Sequence, residues 1–558
     1  MTPRMCAFFL IAIAVSLAAC NGSGTAPNLA PPASTMANRQ AVKPSKTIGG
    51  VVYTTNFDVK NGEEIKVDRD LVVFATDGVN IAGNLTIENN TISVAFFTPS
   101  FVVAGGGFVD WRHAEQAPQL NFIVSACKIV VSDNGSLNVP PGDNLELVAS
   151  RPAASHCTVY FDANSQVRLD TGISGALGKS PQPGGSIEIG SVKAVTDANL
   201  LAKKYGHGAR LRSYPPFYID AFVPLHAGNG GNGADDANGA QQPGAFTWNP
   251  GGGANGGNVD IVAEHITKTE KPPAFYAGNG GNGGTIGGNN TYVNNPLNGT
   301  AASPNAQPEI LHEAVGGDGG SISVKAATPS GTILAAGSGG NASMITSAPA
   351  AGDFWAGNGW SSPAPGATMM GNGASVTLAL ELPGEPGTGS NAGAPSPAYG
   401  QFVPVTFSGG SACASCGGIT YYAGLTPGAL IQGANGGNLT LLLPAKITPA
   451  ALVSTYGLKI LLGHFGDGGG SILTADPTLA CPSPPPRGIS GGNGGSLHDN
   501  GLWPAMYPPG SPTYAWGYGF DAGSGSPGRP GGSNGQNGYD DEGLQIGQVA
   551  PRNSYLCN

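Results

Sequence analysis

Short apolar runs that alternate with polar residues recur along most of the chain. The clearest version is one phrase, in which two small residues, usually glycines, precede Ser or Asn and then alternating apolar residues. It occurs as GGSIEIG at Gly184, GGNVDIV at Gly256, GGSISVKA at Gly319, GASVTLAL at Gly373, GGNLTLLL at Gly436, GGSIL at Gly469 and GGSL at Gly494. A period of two predicts β-strands with one buried face.

Two copies of the phrase agree well beyond the glycines, because GGSIEIGSVKAVTDANLL aligns without a gap on GGNLTLLLPAKITPAALV. The matching Thr196 and Thr448 are predicted N-caps, Pro449 suits a first helical position, and Gly457 suits a helix end. Each copy is therefore predicted to run strand, short helix and second strand, such as Lys459 to Leu462. Such units bury their apolar faces by stacking on one another.

The run AGNGGNG follows a short apolar stretch twice, ending at Gly233 and at Gly283. Glycine and asparagine tolerate positive φ and tight packing of backbone against backbone, so we predict that these runs are corners between strands. Gly228, Gly230 and Gly233 match GxGxxG, but GADDANGAQQPG follows instead of a helix, which argues against a nucleotide site. Two alternatives stay open: a flexible linker, and Gly-Asn-Gly triplets packed as polyglycine helices, which would not explain the intervening strands.

Residues 47–175 contain less glycine and more regular apolar runs. Their phrases IAGNLTIEN and DNGSLNVPP resemble successive rungs of the right-handed parallel β-helices of bacterial surface proteins. This resemblance implies an all-β fold, a right-handed parallel β-helix or solenoid with Gly/Asn-rich turns, long loops and a few short helices. Residues 47–175 would be N-terminal rungs or a cap and residues 176–558 a glycine-rich solenoid; the alternative is a separate β-sandwich before the solenoid.

The first twenty residues carry the most specific motif. Arg4 precedes an apolar stretch of signal-peptide length, which ends in Leu17-Ala18-Ala19-Cys20. This motif resembles the lipobox of bacterial lipoproteins. The resemblance implies a signal peptide at 1–19, a diacylglycerol thioether on Cys20 as membrane anchor, and a flexible tether within 20–46. Asn21 implies sorting to the outer membrane, with the periplasmic or surface face left open.

Composition limits the partners that the chain can have. Charged residues make up 11% of it and the formal net charge is −10. Nucleic acids require clustered Lys and Arg, and the chain has no such cluster, so we exclude them as partners.

The remaining cysteines are expected to form disulfides, since an even number remains after Cys6 is removed and Cys20 is acylated. Order along the chain suggests the pairs Cys127 with Cys157, Cys413 with Cys416, and Cys481 with Cys557. Cys413 and Cys416 also have the spacing of a redox pair, but no thioredoxin-like pattern surrounds them.

No catalytic residue is predicted, because the histidines are scattered and none has metal-ligand spacing. Asp318 in GGDGG and Asp467 in GDGGG are similar to calcium-binding repeats but are isolated, so structural calcium stays open and no other cofactor is expected. Several loops place aromatic residues among small polar ones. The candidate ligand contacts are Trp355, Trp360, Trp503, Tyr514 and Trp516; the alternative is that they cover a glycine-rich core.

These features favour a non-enzymatic outer-membrane lipoprotein with a structural, adhesive or polymer-binding role, whose partners are the membrane and a polysaccharide or cell-surface component. The alternative is a polysaccharide lyase or hydrolase on a β-helix. Three or more charged groups converging within about 10 Å on one face would favour the enzyme, and aromatic rows on a flat face would favour binding.

Overall fold

The alternating apolar positions form β-strands in the computed structural model, and the chain is mainly β. The structure describes residues 46–88, 91, 93–111, 121–139, 142–150, 157–176, 179–205, 217–221, 223–235, 240–242, 245–248, 251–266, 274–283, 309–311, 316–329, 333–338, 367–368, 375–380, 405–408, 431–432, 436–443, 448–454, 460–462, 489–490, 493 and 495–506. They belong to one compact unit that begins at Lys43.

Strands dominate the described residues, and three helices accompany them. The strands are β1 (Lys46–Val59), β2 (Glu64–Ile81), β3 (Asn84–Ile87), β4 (Ser93–Phe97), β5 (Ser100–Val103), β6 (Phe108–Trp111), β7 (Asn121–Ser125), β8 (Lys128–Val131), β9 (Ser136–Val139), β10 (Asn144–Val148), β11 (Thr158–Phe161), β12 (Gln166–Leu169), β13 (Ile187–Ile189), β14 (Phe217–Ala221), β15 (Leu225–His226), β16 (Ala240–Gln242), β17 (Ala245–Trp248), β18 (Val259–Ile266), β19 (Ala274–Tyr276), β20 (Glu309–Leu311), β21 (Ile322–Pro329), β22 (Ile333–Ala335), β23 (Ala367–Thr368), β24 (Val376–Leu380), β25 (Val405–Ser408), β26 (Ile431–Gln432), β27 (Leu439–Leu442), β28 (Ile460–Leu462), β29 (Ile489–Ser490) and β30 (Leu497–His498). The helices are α1 (Val192–Lys204), α2 (Pro449–Ser454) and α3 (Leu502–Met506).

The main sheet is parallel, and its strands pair with the strand three places along the chain through much of its length. A first column runs β4, β7, β10, β13, β18, β21, β24, β27, β30; a second runs β5, β8, β11, β14, β18; a third runs β3, β6, β9, β12, β15, β19, β22, β25, β28. The long strand β2 pairs with the first strand of each column, β3, β4 and β5, and the long strand β1 pairs with β2. Small three-stranded sheets, β16-β17-β20 and β23-β26-β29, lie outside the main sheet.

The repeated phrase stacks in register within the first column. We call a set of neighbouring strands, one from each column, a coil. From coil to coil, the first apolar position of the phrase pairs in the order Ile187, Val259, Ile322, Val376, Leu439 and Leu497. Pairing also continues across residue 175, since β10, β11 and β12 pair with β13, β14 and β15. The N-terminal strands and the glycine-rich part therefore share one parallel sheet.

Inward side chains of the three columns meet in one apolar core. Its largest fully buried members are Phe96, Phe101, Phe122, Phe161, Phe217 and Phe275. A smaller core lies outside the first column, where Ala194 and Ala198 of α1 pack against Ile123 and Val148. The helix therefore covers the outer face of this column at β7 and β10.

The helix predictions are half right. The Thr448 hydroxyl accepts from the backbone N–H of Ala451 (3.2 Å), as an N-cap does, and α2 begins at Pro449. The prediction for Thr196 is wrong, because α1 begins at Val192 and its N-cap is Ser191. Thr196 lies inside the helix and donates its hydroxyl to the Val192 carbonyl (2.7 Å). Ser191 caps earlier because its Oγ accepts from the N–H of Ala194 (3.1 Å).

The prediction that the AGNGGNG runs are corners is also wrong. The described glycines with positive φ are Gly50, Gly62, Gly106, Gly142, Gly190 and Gly501, none of which lies in these runs. The runs are instead extended segments, which we call glycine rods. Outgoing rods follow third-column strands (172–175, 228–234, 278–283, 336–338), and incoming rods precede first-column strands (182–185, 251–257, 316–320).

Hydrogen bonds between the glycine rods recur every three residues, which is the period of a polyproline II helix, a conformation with no internal hydrogen bonds. The N–H groups of Gly228 and Gly231 donate to incoming rod 182–185, at the carbonyls of Gly185 and Gln182. Those of Gly230 and Gly233 donate to the next outgoing rod. Outgoing and incoming rods thus form two layers that are hydrogen-bonded to each other. The alternating apolar phrases form strands, as predicted, while the Gly-Asn-Gly triplets pack in the way that the polyglycine alternative describes.

Glycine is required in the rods by close approach of one backbone to another. A Cβ on Gly278 would collide with the carbonyl of Gly228, and one on Gly228 would collide with that of Asp170. The sequence repeats glycine here because two layers of main chain contact each other without intervening side chains.

A disulfide joins Cys127 to Cys157, the first of the three pairs that chain order suggests. It links adjacent coils just before β8 and β11, which pair from Lys128 to Thr158. Cys413, Cys416, Cys481 and Cys557 lie outside the described residues.

Candidate functional site

One outward position of the first column carries acids on three successive coils. Glu146 of β10 pairs with Glu188 of β13, which pairs with Asp260 of β18. Further along the column the same position is occupied in turn by Ser323, Thr377, Thr440 and His498. We call Glu146, Glu188 and Asp260 the acidic ladder; at about 4.8 Å per coil it spans about 10 Å.

Helix α1 closes over the first member of the acidic ladder. The Glu146 side chain is 0% exposed, and Lys193 of α1 donates from Nζ to its Oε1 (2.6 Å). Lys193 also donates to Oδ2 of Asp197 one turn further along (2.9 Å). The bridge therefore joins the sheet to the first turns of the helix.

Burial dominates the protonation of these groups. It raises the pKa of Glu146 to about 7, although the hydrogen bond from Lys193 acts in the opposite direction. Burial opposes the charged form of Lys193, yet its bonds to Glu146 and Asp197 outweigh that effect and raise its pKa. Two effects therefore offset the buried negative charge of Glu146: the ion pair with Lys193 and the raised affinity of its carboxyl for a proton.

The other two members of the acidic ladder also lie where burial favours the neutral, protonated carboxyl group. Burial raises the pKa of Glu188, against a hydrogen bond with Ser191, and burial raises that of Asp260, against one with Ser323. Glu188 is 6% exposed. Only Asp260 of the ladder is partly open to solvent.

A cleft of about 290 Å³ lies beside α1, near the lower end of the size range of small-molecule pockets. It is lined by Ser93, Asn121, Ile123, Asp197, Leu200, Leu201 and Lys204. No member of the acidic ladder lines it, so a molecule in this cleft would contact Asp197 but not Glu146. A reacting group in the cleft would lack the second carboxylate that glycosidic hydrolysis commonly requires.

Aromatic rings stack in pairs on the outer faces of the second and third columns. Tyr218 stacks on His265 (ring centroids 4.7 Å apart), and His226 stacks on Tyr276 (4.5 Å). Each ring thereby covers a face of its partner, so these contacts reinforce the stacking of neighbouring coils. The covered faces are closed to a sugar ring.

The residues proposed from sequence as ligand contacts are not tested by this geometry. Trp355, Trp360, Tyr514 and Trp516 lie outside the described residues. Trp503 lies in α3, with its side chain outside the described part.

Sequence reasoning missed the acidic ladder, although a signal for it was present. Glu188 and Asp260 occupy the same place within GGSIEIG and GGNVDIV, between the two alternating apolar residues. Aligning the phrases by that place finds Glu188 and Asp260, whereas Glu146 joins them only through the pairing of β10 with β13. Lys193 could not be found in this way, because it lies in the helix after β13 and contacts Glu146 on the neighbouring strand β10.

Metal-ligating geometry is absent from the described part of the chain, where no group of three or more His, Cys, Asp or Glu side chains could hold a metal ion. Asp318 occupies the place of an asparagine in an incoming rod, where its backbone N–H donates to Oδ1 of Asn255 (2.9 Å). Asp467 lies outside the described residues.

Comparisons with protein-family models, with curated proteins and with solved structures give no match for this chain. Among the helices that the structure describes, none combines the length and the apolar character needed to cross a membrane.

Proposed function

We propose that this protein is a non-enzymatic lipoprotein of the bacterial outer membrane, anchored through acylated Cys20, with a structural, adhesive or polymer-binding role. The observation that supports the non-enzymatic part is the burial of Glu146, the first member of the acidic ladder, under α1. A general acid must reach the atom that it protonates, and Glu146, bonded to Lys193 at 2.6 Å, has no exposed side-chain surface.

We further propose a right-handed parallel β-helix as the architecture. Three columns of parallel strands, paired coil on coil, support it. Crossover connections between parallel strands are right-handed in nearly all proteins. Stacked coils make a stiff body whose outer faces repeat regularly, and such faces suit contacts with a repeating polymer.

The anchor has its own test. Expression of the full chain in a Gram-negative host with labelled palmitate should place label on the protein in the outer-membrane fraction. A Cys20→Ala variant should lose the label and leave that fraction. Labelling that survives the substitution would refute anchoring at Cys20.

The role has a separate test with the detergent-solubilised full chain. Incubation with cellulose, chitin, β-1,3-glucan particles and peptidoglycan sacculi should give co-sedimentation without release of reducing ends or unsaturated products. Steady product release would overturn the non-enzymatic proposal.

The second candidate is a polysaccharide lyase or hydrolase, and the acidic ladder is the observation that favours it, since three acids fall within about 10 Å along one face. In that case Asp260, the partly exposed member, would be the reacting acid. Asp260→Asn should then abolish product release while leaving polymer binding intact.

A further inference from the structure

We propose that the outgoing glycine rods present a binding face for a neutral polysaccharide, formed by Asn229, Asn232, Asn279 and Asn282. We call these residues the asparagine face. The proposal rests on the polymer-binding role proposed above and adds the place and the chemistry of the contact.

The asparagine face consists of two exposed rows that run from coil to coil. In one row the backbone N–H of Asn279 donates to Oδ1 of Asn229 (2.8 Å), and that of Ser338 donates to Oδ1 of Asn279 (2.8 Å). In the other, the backbone N–H of Asn282 donates to Oδ1 of Asn232 (2.9 Å). These bonds fix the amides of Asn229, Asn232 and Asn279 before any ligand arrives.

The same bonds decide which atoms remain for a ligand. Because Oδ1 accepts from the next coil, each of these three side chains keeps its Nδ2 amide as a pair of donors. The Nδ2 groups of Asn229, Asn232 and Asn279 have no hydrogen-bond partner among the described residues. A face of oriented donors is thus exposed.

The spacing of the donors is regular in both directions. Along a rod, Asn229 and Asn232 are three residues apart, which is about 9 Å in a polyproline II helix. Across coils the spacing is about 4.8 Å. Glycines separate the rows, so no side chain lies between them and a flat chain can approach the amides.

The chemistry of the asparagine face selects the partner. Amide N–H groups suit neutral oxygen atoms, such as hydroxyl, ether and acetamido oxygens. An anionic polymer would favour Arg or Lys, and a folded protein partner would favour an apolar core of contacts; the four residues supply neither. A polysaccharide offers many neutral oxygens at a repeating distance.

The test compares two full-length double variants for co-sedimentation with cellulose, chitin, β-1,3-glucan particles and peptidoglycan sacculi. Asn229→Ser with Asn279→Ser removes two amide donors but keeps an acceptor for the next coil, as Ser186 Oγ does for the N–H of Asn258 (3.0 Å). The control, Asn80→Ser with Asn164→Ser, changes two exposed asparagines outside the rods. Thermal unfolding checks that both variants remain folded.

We expect the face variant to bind at least about tenfold more weakly than the control, since two hydrogen bonds near 1 kcal/mol each are lost. If the control and the face variant bind equally, the asparagine face is not the site, while the polymer-binding role stands. If the unmodified protein binds none of the four polymers, both proposals fail.

Discussion

The first coils and the glycine rods bury their main chain by opposite means. Between β1 and β12 the coils enclose large side chains such as Phe96, Phe101 and Phe122, all fully buried. In the rods, Gly228 and Gly278 contact neighbouring backbone and leave no room for a Cβ. The coils are therefore stabilised chiefly by apolar burial, and the rods by main-chain hydrogen bonds whose loss would leave buried groups unsatisfied.

The largest effect is expected where side chains fill the coils. Phe96 is fully buried and contacts the rings of Phe57, Phe101 and Phe122 at centroid distances of 5.9, 5.2 and 5.9 Å. Phe96→Ala should lower the free energy of unfolding by about 3–5 kcal/mol through lost transfer energy and a cavity. Urea unfolding followed by circular dichroism measures it, and Phe108→Ala, at a 44% exposed side chain, is the control. Equal losses in the two variants would contradict a side-chain-filled core.

Glu146 is a polar exception within the filled coils, and it makes stability depend on pH. Its pKa is raised from 4.5 to about 7, so the folded state holds this proton more tightly than the unfolded state. Its stabilising contribution is complete below pH 4.5 and is lost as pH rises to about 7, by at most about 3 kcal/mol. Glu188 and Asp260, whose pKa values are also raised, act with the same sign.

Glu146→Gln removes this titration while leaving an oxygen to accept from Lys193. The free energy of unfolding of the variant should therefore increase relative to that of the unmodified protein as pH rises from 4.5 to 7. Above pH 7 the difference between the two should stay constant. Chemical unfolding at several pH values measures the difference. A constant difference across the range would show that Glu146 does not take up a proton on folding.

In the rods, the smallest added side chain is expected to destabilise. Gly278→Ala places a methyl group against the Gly228 carbonyl, and relief requires a shift of two bonded backbones, so we expect a loss of about 1–3 kcal/mol. Gly78→Ala is the matched control, because its added Cβ would approach no atom closer than 3.6 Å, from the Ser100 carbonyl oxygen. Thermal unfolding compares the two variants. If Gly278→Ala is no worse than Gly78→Ala, the rods are not packed backbone on backbone.

The same contrast explains what could be predicted from sequence. Strand positions such as Ile187 and Val259 were predictable, since alternation reports burial directly. The form of AGNGGNG was not, because glycine marks both a positive-φ turn and a close approach, and only the neighbouring rods distinguish the two. The acidic ladder needed the coil-to-coil register as well as the helix that brings Lys193 to Glu146 at 2.6 Å.

The smallest effect is expected where the two regions meet, at the Ser or Asn of the repeated phrase. This residue lies directly before the strand, as Ser186 does before β13 and Asn258 before β18. Asn258 Oδ1 accepts from the backbone N–H of Ser321 (2.8 Å), just as Ser186 Oγ accepts from that of Asn258 (3.0 Å). Asn258→Ala should cost about 1 kcal/mol, because Oδ1 loses its hydrogen bonds from both the N–H and the Oγ of Ser321 (2.8 and 3.0 Å) at an exposed position where water replaces part of them. Asn258→Ser should be near neutral, since the phrase accepts either residue for the same reason: both carry an acceptor for the next coil. Thermal unfolding of the two variants tests this bonding role. Equal stability of Asn258→Ala and Asn258→Ser would show that the position only requires a small residue.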